Sequence, residues 1–137
     1  MSEFRIRAAV PPTLLHPDYG HVHHADLLRL LEVARLRLLE EIGQPNDRLL
    51  AEGMALVITL VEVAYRREVK GPEVDVTCEQ GIIDGREIVL IQRVLLPNGK
   101  EAVNAKVASM FLSRQAGRGV RPPASFREPF ERYFLPS

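Results

Sequence analysis

The sequence predicts an α+β fold in which one antiparallel sheet wraps around a single long helix. Three observations predict it. Residues 24–42 switch to a helical hydrophobic period whose apolar positions spread too far around the axis for an ordinary surface helix. Five other segments read as strands, by strict alternation or by β-branched content. Asp84-Gly85 and Asn98-Gly99 join the last three of them as hairpins. With one such helix and otherwise strands, only the sheet is available to cover it.

Residues 4–10 form the first strand. Phe4, Ile6, Ala8 and Val10 share one face, while Arg5 and Arg7 take the other. Pro11-Pro12 ends it, because neither residue can donate to a ladder. A connection through residues 13–23 follows, turning at Pro17 and Gly20. In the helix, Leu27, Leu31, Ala34 and Leu38 make one stripe, which Leu28, Leu30, Val33, Leu39 and Ile42 widen. Gly43 and then Pro45 stop it, and residues 47–52 predict a short helical turn. The remaining strands are residues 54–69, 73–83, 86–96 and 101–113. In the second of these, Val74, Val76 and Cys78 point inward and Glu73, Asp75, Thr77 and Glu79 point outward. Both central residues of the two hairpin turns are expected at positive φ. The tail, 116–137, ends in Phe126, Phe130, Tyr133 and Phe134, an aromatic spacing that predicts a short helix laid on the body, with Pro129 badly placed inside it.

Length and charge bound the function. A chain of 137 residues has room for one domain, 1–137, and one core. Lys and Arg balance Asp and Glu at 18 each, so the cationic excess of a nucleic-acid binder is missing. No apolar run is long enough to span a bilayer, and the N-terminus lacks the continuous apolar stretch of a secretory signal. A lone cysteine, Cys78, gives no intrachain disulfide framework and fits a buried thiol in the reducing cytoplasm.

All four histidines, His16, His21, His23 and His24, fall in the connection that leads into the helix, together with Asp18, Tyr19 and Gly20. A helix N-terminus offers unpaired N–H groups and about half a positive charge, enough to polarise a carbonyl. A carboxylate and an imidazole beside it are parts for acyl-transfer chemistry. A metal site is not predicted, since His-x-His-His in one short run sends its rings in divergent directions.

The run Gly20-His21-Val22-His23-His24-Ala25, followed by Leu28, Leu31-Glu32, Ala34-Arg35 and Glu41-Ile42-Gly43, resembles the 4-hydroxybenzoyl-CoA thioesterase family of hotdog-fold proteins. The likeness continues through Tyr65, Lys70-Gly71, Gln92 and Pro122. It implies a hotdog fold, an acyl-CoA substrate, a homodimer or homotetramer, and an active site between subunits. It also implies that the His24 N–H polarises the thioester carbonyl. Coenzyme A enters as part of the substrate, and no separate cofactor is implied.

The family's carboxylate falls where this sequence has Pro17, with Asp18 one residue late. Three readings follow. Asp18 acts as base or nucleophile; a histidine, His24 or His16, is the general base; or the chain binds acyl-CoA without hydrolysing it. Among substrate contacts, His16, Tyr19 and Gly20 are expected beside the thioester, and Arg86, Arg114 and Arg118 near the coenzyme A phosphates. Tyr65 and Gln92 are expected to be structural. A hotdog acyl-CoA hydratase or dehydratase is the alternative enzyme.

Overall fold

The computed structural model describes residues 3–135. In chain order the elements are β1 (Glu3–Ala9), a 3-10 turn (Pro12–Leu14), α1 (His24–Glu41), α2 (Asn46–Ala51), β2 (Met54–Tyr65), β3 (Glu73–Asp84), β4 (Glu87–Leu95), β5 (Glu101–Ser113), β6 (Arg118–Val120) and α3 (Ala124–Phe134). The sheet runs β1-β3-β4-β5-β2, every pair antiparallel. The small β6, not foreseen from sequence, pairs with β5 at residues 111–113, beyond the point where β4 ends opposite Met110.

The helix lies against the sheet through Leu27, Leu30, Leu31, Ala34, Leu38 and Leu39, all buried. Gln92 ties the two together from inside: its Nε2 donates to the Leu31 carbonyl at 3.0 Å, and its Oε1 accepts from Arg35 at 2.9 Å. The aromatic tail forms α3, whose Phe126, Phe130 and Phe134 recur every fourth residue and are all buried. Phe126 meets Phe111 of β5 edge-on at 4.9 Å. That anchoring carries the helix through Pro129, which costs it one backbone donor.

Several expectations change. Leu28 and Val33, assigned to the covered stripe, are 36% and 43% exposed, because the sheet of one chain curls around only part of α1. Thr77, expected to face water, is fully buried. Glu79 and Arg93 fold over it: its hydroxyl donates to Glu79 and accepts from the Arg93 backbone N–H. The strand expected over residues 54–69 stops at Tyr65, where the Arg66 and Arg67 N–H groups both turn to the Ala102 carbonyl. In the hairpins only the glycines, Gly85 and Gly99, have positive φ. Asp84 pairs with Glu87 around a two-residue turn with glycine first, a geometry that needs just one positive φ. At the other, Gly99 donates to Leu96 and follows Pro97-Asn98 as a bulge residue.

Candidate active site

The connection into α1 is pinned at both ends. The His16 N–H donates to His21 O, Leu15 bridges Val22, and the Val22 N–H donates to Val69 O. Gly20 takes a positive φ of 69° and donates to His16 O, which turns the chain sharply enough to bring the two halves of the loop together. His23 then caps the helix, its Nδ1 accepting from the Ala25 N–H at 3.1 Å. Asp26 and Leu27 donate to the His23 carbonyl. Among the described residues this leaves the His24 backbone N–H, at the first helical position, without an acceptor.

A cavity of about 570 Å³ opens at this point. His16, Tyr19, His21, His23 and His24 line it from the loop, and Tyr65, Arg66, Arg67 and Glu68 line it from the end of β2. The size suits a small-molecule site, typically ~300–1,000 Å³. Sequence reasoning therefore located the histidine-rich wall and missed the opposite one. Tyr65, read as structural, donates its hydroxyl to the His24 carbonyl at 3.3 Å, and burial pushes its pKa up. Among the described residues, Glu68 is the one acidic side chain that lines the cavity. Neither Arg66 nor Arg67 had a signal of its own, since both fell inside the strand expected over residues 54–69 and read as solvated surface.

Hydrogen bonds set the tautomers of three histidines. His16 Nδ1 accepts from the Asp18 N–H at 3.1 Å, and His23 Nδ1 accepts from Ala25, so both neutral rings carry their proton on Nε2. His21 is the opposite case. Its Nδ1 faces the Val22 carbonyl at 3.1 Å, a contact that bonds only if Nδ1 carries the proton. Its Nε2 is then a lone pair, 3.9 Å from Glu68 Oε1.

Other predicted residues sit elsewhere. Asp18 is exposed in the turn, is not part of the cavity wall, and its carboxylate makes no hydrogen bond or ion pair among the described residues. Gly20 shapes the loop and does not line the cavity. Arg114 and Arg118 line a smaller cavity of about 250 Å³ beside Met54, where β2 begins. Arg86 lies in the β3–β4 turn, at the same end of the sheet. A 12-residue strand spans ~40 Å, so within one chain these arginines are far from the histidines. Gln92 is structural, as expected. No group of three or more His, Cys, Asp or Glu able to hold a metal ion occurs among the described residues, and no helix there is long and apolar enough to cross a membrane.

The sequence matches no curated protein. Solved structures match the fold closely. A hypothetical protein from Staphylococcus aureus, in complex with CoA, superposes with a TM-score of 0.88 at 17% identity, over 98% of this chain and 87% of that one. The DHNA-CoA thioesterase of the same organism gives 0.80 at 17%, over 98% and 85%. A thioesterase from Thermus thermophilus, complexed with coenzyme A and Zn, gives 0.76 at 24%, over 97% and 96%. At these identities the likeness establishes the hotdog fold. The thioesterase-like superfamily matches residues 16–130, from the first cavity histidine to the second buried phenylalanine of α3. On the strength of that match, the chain belongs to the thioesterase-like superfamily.

Proposed function

We propose that this chain is an acyl-CoA thioesterase that hydrolyses its substrate at the amino end of α1. The observation that carries this reading is the His24 N–H, unpaired among the described residues, beside a cavity of substrate size. A thioester carbonyl accepting from that N–H is polarised, and the donor is already in place as negative charge develops on oxygen. Water then adds to the carbonyl carbon, the C–S bond breaks, and the thiolate of coenzyme A leaves and is protonated. Arg66, Arg67 and nearby Lys70 supply positive charge for the phosphates. The aromatic rings of Tyr19 and Tyr65, with the Gly20–Ala25 run, support a place in the narrower 4-hydroxybenzoyl-CoA group.

The assembly we propose is a homodimer, or a tetramer built from it, with the cavity completed between subunits. β2 is an edge strand of 12 residues, and none of them is buried. Ile58, Leu60, Val61 and Tyr65 are all exposed, and such an edge invites pairing with another strand. Antiparallel pairing of two β2 edges brings the Met54 end of one copy to the Tyr65 end of the other. Arg114 and Arg118 of the second copy then approach the first copy's cavity, the route by which they reach coenzyme A.

Asp18, one of three readings for the base or nucleophile, reaches the thioester only if its turn folds inward or a second copy closes over it. Its position outside the cavity favours one second reading, an acyl-thioester-binding module without hydrolysis. Incubation with a panel of acyl-CoAs, monitored for free thiol, separates the possibilities. Thiol release supports hydrolysis, and Asp18→Asn decides whether that carboxylate takes part. Binding without release supports the module. Hydration of an enoyl-CoA without thiol release supports a hydratase.

A further inference from the structure

We propose that His21 is the general base of this site and that Glu68 stabilises the imidazolium it becomes. The inference rests on the thioesterase reading of the same cavity. Four histidines line the cavity, but their hydrogen bonds make them unequal. His16 and His23 each spend Nδ1 as an acceptor of a backbone N–H and present Nε2–H, a donor. His24 makes no side-chain hydrogen bond among the described residues; its ring packs edge-on against Tyr65 at 6.0 Å. His21 alone is bonded so that Nε2 is left with a lone pair, the form a base requires.

The surroundings of His21 suit a ring that gains a proton. Nδ1–H already has the Val22 carbonyl. Once Nε2 is protonated, Glu68 Oε1 lies at ion-pair distance, 3.9 Å, and opposes the new charge. Glu68 is in turn steadied from its other oxygen by Lys70 Nζ at 3.7 Å. Tyr19 stacks on the imidazole with ring centroids 5.7 Å apart, which limits its rotation. In the reaction, Nε2 takes a proton from water as the oxygen adds to the carbonyl carbon. The resulting imidazolium returns that proton to the departing thiolate, so no outside acid or base is consumed. The arrangement requires no carboxylate at Pro17, the position the family gives to aspartate.

The test is steady-state kinetics of thiol release on the full chain, using the acyl-CoA that wild type hydrolyses best. His21→Asn is expected to lower kcat by about 100-fold or more, with KM within about twofold. Glu68→Gln, acting through His21, is expected to lower kcat by about 10-fold, and Glu68→Asp to recover part of it. Glu128→Gln on the exposed side of α3 serves as the control for charge loss. Circular dichroism of each variant separates lost chemistry from lost fold. Wild-type kcat in both His21→Asn and Glu68→Gln overturns the proposal while leaving the thioesterase reading intact. A loss confined to Asp18→Asn does the same. Failure of wild type to release thiol from any acyl-CoA overturns both.

Discussion

Gln92 is the group whose removal has the most predictable consequence. It is fully buried between β4 and α1, and its Nε2 donates to the Leu31 carbonyl and shares its second N–H between the Thr77 carbonyl and Cys78 Sγ. Its Oε1 is the acceptor for Arg35, which is half-buried and has no carboxylate within ion-pair distance among the described residues. Burial pushes the Arg35 guanidinium below its ordinary pKa, against the pull of Cys78 and Glu32. Gln92→Leu keeps the volume, so no cavity term arises. The Leu31 carbonyl keeps its intrahelical partner. The cost falls mainly on Arg35, which loses a charge-assisted hydrogen bond worth about 1.5–3 kcal/mol, with a smaller share at the Thr77 carbonyl. We expect Gln92→Leu to destabilise by about 2–3 kcal/mol in urea unfolding, with the m-value unchanged. Adding Arg35→Met removes the stranded charge, so the double variant should lie within about 1 kcal/mol of wild type. Full stability in Gln92→Leu, or simple additivity in the pair, would refute the claim that this polar link tethers the helix.

The outer face of the sheet makes a pH prediction. Burial alone would raise the Glu79 pKa, but hydrogen bonds from Arg93 and Thr77 and the charges of Arg93 and Arg5 outweigh it and hold the carboxyl below its ordinary value. A folded-state pKa that is depressed contributes stability above the unfolded value of about 4.3 and loses it as pH falls through the folded one. Acid titration of stability should therefore fall more steeply in wild type than in Glu79→Gln below about pH 4.3; parallel curves would contradict this. Cys78 is buried, and its thiol is pushed up to about 12, chiefly by desolvation. It should stay silent to a thiol reagent in the native protein and react fully in denaturant.

Local chemistry was enough to locate much of this protein. The alternation of residues 4–10, the hairpin glycines and the Leu-rich helix marked β1, β3 to β5 and α1, while β-rich content marked β2 and aromatic spacing α3. The clustering of four histidines before the helix placed one wall of the cavity. Those signals are short-range: a period, a turn residue or a cap depends on neighbours a few positions away.

What stayed hidden depends on contacts between distant segments. Thr77 is buried because Arg93, 16 residues later, folds over it. Glu68 acquires a role only because Val22 pairs with Val69, which brings the carboxylate across from His21. Asp18 and Pro17 are adjacent in sequence to the cavity residues, yet the turn at Gly20 leaves the Asp18 carboxylate in solvent. Pattern along the chain determined that the helix and strands exist. The order β1-β3-β4-β5-β2, and with it which side chains face one cavity and which lie at the other end of the sheet, was decided only when the sheet closed over the helix.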